Sequence, residues 1–389
     1  MIKMFRYKII TPIRQIIQDS RSIGILLSIC ALVSILITQS SKGEQYLHFW
    51  ETQTLMLKGV HLPLTITDWI NEALMAIFFF LAGLEIKREI LTGELSSIKN
   101  ALMPVGGALG GMVVPAVIFI LFNAGTLYAS GWGIPMATDI AFSLGIASLL
   151  GNKIPVSLKI FLMALAIIDD LGAISVIAIF YGNTIHWLYL ISAIVLFLLI
   201  LIYRNWLVRR FYLHILAGII VWLFVFWSGI HATVAGVLLA FTIPENAISK
   251  VSKSLHTPVN FIVLPLFALA NTVIMLPNTL GVALQESYNI GILIGLTVGK
   301  PVGIVLFCWI MVKLGWGKLP LAVNWKQMAG IGMLAGIGFT MSIFITTLAF
   351  TNPSIQNLAK ISILIASLIS GLMGYLSLWI LSKKSPLLK

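Results

Sequence analysis

Apolar runs repeat from one end of this chain to the other, and they leave few folds open to it. Twelve segments are predicted as spans, at about 22–39, 69–84, 101–123, 133–149, 158–181, 187–203, 213–228, 231–243, 259–275, 290–314, 328–349 and 358–382. Wound at about 1.5 Å per residue, the longer runs cross the roughly 30 Å hydrocarbon layer of a bilayer as helices. Composition agrees: 59% of residues are hydrophobic and 10% charged, where a soluble domain has about 25% charged residues. The mean hydropathy is +1.03. A length of 389 residues allows two soluble domains, but apolar runs placed end to end predict one polytopic domain over 1–389. The expected class is an all-α integral membrane protein with about twelve transmembrane helices.

The basic residues orient such a bundle. Of 25 Lys and Arg, only Lys42, Lys58 and Lys360 fall on the side opposite the termini, and Lys300 lies inside a span. The other twenty-one sit in the tails, loops and nearby span ends of the terminal side, which the positive-inside rule makes cytoplasmic. A net charge of +12 spread over short loops is topology, not a nucleic-acid stripe. Cys30 and Cys308, far apart in apolar runs, indicate neither a disulfide nor a metal site. The first run, SIGILLSICALVSILITQS, lacks a convincing small-residue cleavage site and is read as a retained span. Residues 40–68 form the longest outer connection; Lys58-Gly59 between runs rich in Thr, Leu and Ile suggests a small hairpin there, with plain coil the alternative.

Charges inside the spans mark the functional centre. Asp169 and Asp170 stand side by side in the middle of LKIFLMALAIIDDLGAISVIAIFY, which has no other acidic residue. A carboxylate at bilayer depth costs at least about 2.5–3.5 kcal/mol, and adjacent ones repel. Asp139 and Lys300 fall near the centres of two further spans. Capping is the competing role for Asp139, since Thr138-Asp139 after Pro135 reads as a helix start. For Lys300 the competing role is a salt bridge with one of the aspartates. Two spans look interrupted: GWGIPMATDIAFSLG before Thr138, and AGIGFTMSIF at Gly336 and Gly338. Helix packing accounts for glycines such as those of GGALGGM. The two interruptions, however, occupy matching places in 101–181 and 290–382. Similar strings follow them, Thr138-Asp139-Ile140-Ala141-Phe142 and Thr340-Met341-Ser342-Ile343-Phe344. Paired broken helices point to an ion site near the bilayer midplane.

These residues resemble the NhaA-type sodium/proton antiporters of bacterial inner membranes. The likeness runs from about 68 to 380 and rests on FFFLAGLEIKREI, IPMATDIAFSLG, LKIFLMALAIIDDLGAI, SGIHATVAGV, LPLFALAN, GKPVGI and GIGFTMSIFI. It implies two inverted-topology repeats, about 101–181 and 290–382, whose broken helices cross near the midplane. Asp170 matches the principal cation ligand, and Asp169 its neighbour paired with Lys300. Asp170, Asp169 and Thr138 are the implied Na+ ligands. Thr138, Asp139, Gly336, Gly338 and Thr340 fall at the crossing, where Asp139 and Lys300 balance half-helix ends. Glu85, Glu89 and His231 match positions tied to pH response, a helix-end hydrogen bond being the alternative for His231. One departure stands out. Where the family pattern has a Glu-His pair, this chain reads Ser252-Lys253 before Leu255-His256, which puts the activation pH in question.

The implied activity is transport, not enzymatic catalysis. Cytoplasmic Na+, with Li+ as a second substrate, leaves in exchange for external H+, without a cofactor. The exchange is electrogenic, pH-regulated and serves sodium and pH homeostasis. The expected setting is a bacterial inner membrane, as a homodimer joined through the 40–68 loop. Two other classes also place carboxylates in a membrane: an intramembrane aspartyl protease and a cation channel. The protease would set its aspartates on separate helices in YD and GxGD contexts, which are missing here. A channel needs a ring of ligands around a pore.

Overall fold

The computed structural model describes residues 20–52, 62–182, 184–277 and 280–384. Its elements are helices: α1 Ser20–Thr38, α2 Gly43–Glu51, α3 Ile66–Thr92, α4 Ile98–Asn123, α5 Ile140–Leu149, α6 Val156–Phe180, α7 Trp187–Ile202, α8 Phe211–Trp227, α9 Thr233–Thr242, α10 Glu245–Asn271, α11 Ser287–Lys313, α12 Trp325–Ala335, α13 Phe339–Ala349 and α14 Pro353–Lys384. A 3-10 helix, Ala129–Met136, leads into α5. Seven of the described helical stretches are long and apolar enough to cross a membrane, and two bent pairs pass the same test together. Three shorter apolar helices, in α7, α8 and α9, complete the twelve expected segments. Side chains such as Leu121, Ile179, Leu188 and Ile202 are more than 70% exposed on the outer helix faces, as a lipid-facing surface requires.

Local sequence sets the ends of several helices. Thr65 caps α3 and exchanges hydrogen bonds with Asp68 (3.0 and 3.1 Å). Asn324 and Gln327 do the same for α12, so two capping boxes fix where these spans begin. The tight link between α8 and α9 works because Gly229 takes φ +85, a left-handed turn that other residues resist. Lys87 of α3 donates to the carbonyls of Phe241 (2.7 Å) and Ile243 (2.5 Å), closing the C-terminal end of α9.

Packing explains where the spans exceed the apolar runs. The ninth segment starts at Glu245, not 259, because ENAISKVSKSLHTP is an amphipathic helix. Its Ile248, Val251 and Leu255 join Leu84, Ala240 and Ile243 in a small apolar cluster. The second span continues through GLEIKRE to Thr92. At the outer connection, His48–Glu51 stand at the end of α2 and not in the first strand-like run. The Lys58-Gly59 turn of the expected hairpin lies outside the described residues. Lys360, at the outer end of the expected twelfth segment, lies within α14 and is buried at 7% exposure.

Helices α4–α6 and α11–α14 are two sets of three spans, each with its middle span broken. They occupy the third to fifth and tenth to twelfth places, so the matching members run in opposite directions. The sets meet through α4 and α11, which cross closely at Gly110 and Gly303. A Cβ on Gly303 would fall on the Gly110 carbonyl, and one on Gly110 would fall on that of Gly303. Packing is thus the role of the GGALGGM glycines.

Candidate ion-binding site

The two broken spans meet through their own backbones. Ala137 and Asp139 are extended, with ψ of 147 and 103, so the chain unwinds between the 3-10 helix and α5. The second break falls at Gly336–Gly338, where the axis turns by 49°. Neither glycine there has a positive φ (−69 and −94). Glycine is needed at 336 for close approach, since a Cβ would press on the Leu296 carbonyl and Ser370 Oγ. Across the breaks, Asp139 N donates to Ile337 O (2.6 Å) and Thr138 Oγ1 to Ala335 O (2.9 Å). Ser342 Oγ donates to Ile134 O (2.8 Å).

Half-helix ends left by these breaks are matched by charge. Asp139 is the N-cap of α5, accepting from Phe142 N at 3.2 Å. Its other oxygen accepts from Thr340 N (3.1 Å) and Thr340 Oγ1 (2.5 Å) in the first turn of α13. One carboxylate therefore faces the positive ends of two half-helices. Lys300 sits at the negative end: its Nζ donates to Met136 O, the last carbonyl of the 3-10 helix. The same ammonium is 2.7 Å from Asp169 Oδ2, with both side chains at or below 1% exposure. Capping, the competing role for Asp139, and the salt bridge, the competing role for Lys300, are both present, and both belong to the crossing.

Asp170 points elsewhere. It lines a cavity of about 250 Å³ together with Thr138, Asp139, Thr340, Met163 and Met341. Its Oδ1 is buried without a hydrogen-bond partner among the described residues. Adjacent helix positions diverge by about 100°, which sends Asp169 to Lys300 and Asp170 into the cavity. Asp169 is not part of the cavity wall, and its Oδ1 is buried without a hydrogen-bond partner among the described residues.

The cavity opens where Glu85, Arg88 and His256 form its rim, on the side rich in Lys and Arg. His256 Nε2 lies 3.1 Å from Glu85 Oε1. The histidine thus finds its carboxylate on α3, while Ser252 is buried with an unpartnered hydroxyl. Glu89 pairs with Arg88 at 3.6 Å and accepts from Glu94 N at 3.1 Å, closing the turn after α3. His231 is not part of this cluster. Its Nδ1 faces Glu72 Oε1 at 3.4 Å and its Nε2 Tyr181 O at 2.8 Å. Glu72 and Glu85 are thirteen residues apart on α3, about 20 Å along a helix, so the three expected pH-response residues divide between two ends. Glu72 itself escaped sequence reasoning, although an acid four residues into an apolar run was the available signal. Among the described residues, no group of three or more His, Cys, Asp and Glu could hold a metal ion. Asp170, Asp139 and the hydroxyls of Thr138 and Thr340 give the cavity wall hard oxygen donors.

Comparison with known proteins decides the family. The model of the family described as Na+/H+ antiporter 1 matches residues 14–378. The chain belongs to the Na+/H+ antiporter 1 family. It is 50% identical over 377 residues to a protein of Flavobacterium psychrophilum named Na(+)/H(+) antiporter NhaA, covering 95% of this chain and 96% of the relative. A relative of the same name from Cytophaga hutchinsonii is 47% identical over 387 residues, 98% of each chain. One from Dechloromonas aromatica is 46% identical over 368 residues, 92% of this chain and 93% of the relative. Within the Na+/H+ antiporter 1 family the paired breaks and the buried charges fall into place, and neither a protease nor a channel finds support. Asp169 is neutralised by Lys300 and is not set across from Asp170 as a second catalytic acid.

Proposed function

We infer that the chain is a multi-pass bacterial membrane transporter that exchanges Na+ for H+, and not an enzyme. The observation that carries the mechanism is the placement of Asp170. It is the one cavity carboxylate without a hydrogen-bond partner among the described residues, and it stands at the inner end of a cavity open to one side. A cation and a proton compete for its oxygens: binding of Na+ expels H+, and protonation expels Na+. Thr138 and, after the Lys300 contact opens, Asp169 supply further oxygens. Gly336, Gly338, Asp139 and Thr340 hold the crossing at which the two sides alternate. Glu85 at the rim, Glu89 beside Arg88 in the turn after α3, and His231 against Glu72 at the other end of α3 set the pH range of activity.

The finer reading follows the charge distribution and the family. The Lys- and Arg-rich side, with both termini, is cytoplasmic and the membrane is the inner one. Na+ and Li+ leave while H+ enters, with no cofactor, and the protein serves sodium and pH homeostasis as a homodimer joined through residues 40–68. More protons than cations move per cycle, so the membrane potential adds about 2.3 kcal/mol per net charge per 100 mV. Proteoliposomes with an internal pH dye test this. Added Na+ moves protons in the wild type, faster when the imposed potential favours the net charge moved. Proton flux that ignores Na+, or is indifferent to the potential, contradicts it.

A further inference from the structure

The cavity wall carries a second unpartnered polar group. Of its other polar side chains, Glu85 faces His256, Arg88 faces Glu89, Thr138 donates to Ala335 O, and Asp139 and Thr340 bond each other. Asp170 and Asn260 alone show no side-chain hydrogen bond or ion pair among the described residues. Asp170 has its reason in the exchange. Asn260 stands in VNFIVLPLFALA, a run without another polar side chain before Asn271. Its side chain is half-buried on the cavity wall, so the amide faces the open space of the cavity and is free to bond whatever passes there.

Its position adds direction. Asn260 belongs to a π turn, Val259–Val263, in the middle of α10. The turn follows Pro258, which has no N–H to return to the preceding helical turn, and it packs on α3. π turns widen a helix locally and shift a side chain off its regular face. Asn260 is four residues after His256, lines the same cavity and lies about 6 Å further along the helix. Along the cavity the order is Arg88 with Glu85–His256, then Asn260, then Asp170.

We propose that the Asn260 carboxamide is a relay ligand for the transported cation. Its oxygen replaces one hydration water as the ion passes between the rim and Asp170. An amide carbonyl oxygen is a hard, neutral ligand, able to hold Na+ without trapping it. The proposal rests on the exchange reading above. It places selectivity for partly dehydrated cations at Asn260, before the carboxylate.

The test is Na+-dependent proton flux in proteoliposomes, with half-saturating Na+ and the saturated rate measured separately at one pH. Asn260→Ala is expected to raise half-saturating Na+ by about fivefold, the worth of one neutral ligand, and to leave the saturated rate unchanged. Asn260→Asp, which keeps an oxygen in place, is expected to match or better the wild-type affinity. Should Asn260→Ala not fold, Asn260→Ser, too short to reach the ion, carries the same expectation. Unchanged half-saturation, a loss confined to the saturated rate, or Asn260→Asp behaving like Asn260→Ala would overturn the relay. Asp170→Asn in the same vesicles separates the two ideas. A silent Asp170→Asn beside an unaltered Asn260→Ala removes only the relay, whereas an active Asp170→Asn removes the exchange reading beneath it.

Discussion

Asp139 accepts from the first turns of two different helices, and that double duty can be measured. Asp139→Ala uncaps both α5 and α13 and should cost about 1 kcal/mol or more per cap. Asp139→Asn keeps acceptor oxygens and should melt between that variant and the wild type. Equal melting temperatures for the two variants in detergent would contradict the assignment. The Lys300–Asp169 pair is fully buried, so Lys300→Ala strands a carboxylate and should destabilise by about 3–5 kcal/mol. Neutralising both, with Asp169→Asn and Lys300→Gln, should recover part of that loss. A double variant as weak as the sum of the singles would deny the pairing. These residues were legible in the sequence because a charge in an apolar run is an anomaly before any contact is known. Glu72 and Asn260 were not picked out. Glu72 and Asn260 gain meaning from His231, and from a cavity wall shared with α3 and α6, which no local pattern reveals.

The breaks that position these residues depend on how helices approach one another. Gly110 and Gly303 let α4 and α11 meet backbone to backbone. Either glycine replaced by Leu should cost more than the roughly 1–3 kcal/mol of ordinary overpacking, because backbone atoms cannot yield. Expression and melting of Gly303→Leu check this, and a wild-type melting temperature would contradict it. Apolar runs located the helical segments, since burial in a bilayer enforces apolar composition along the whole length. They missed the start of α10 at Glu245 and the helical end of α2 at His48–Glu51. Both are amphipathic stretches that pack along one face only, where composition resembles a loop.

Taken whole, the molecule is open on one side of the crossing and packed on the other. Asp170 connects to the rim at Glu85 and His256. Beyond the crossing the rings of Tyr128, Tyr288 and Phe350 pack against one another at 4.5 and 5.9 Å. With Cys30 and Cys308 replaced by Ala, a thiol introduced by Leu144→Cys in the cavity wall should react with a membrane-impermeant maleimide from the Lys- and Arg-rich side alone. Equal labelling from the opposite side would contradict the closed outer face.

The central claim, that one carboxylate trades a cation for a proton, is tested most directly without a membrane. Purified protein in weakly buffered detergent solution, near neutral pH, is mixed with Na+ and the released protons are read with an indicator. The wild type should release protons saturably with Na+, and Asp170→Asn should release none above a choline control. Proton release from Asp170→Asn equal to the wild type would contradict the account.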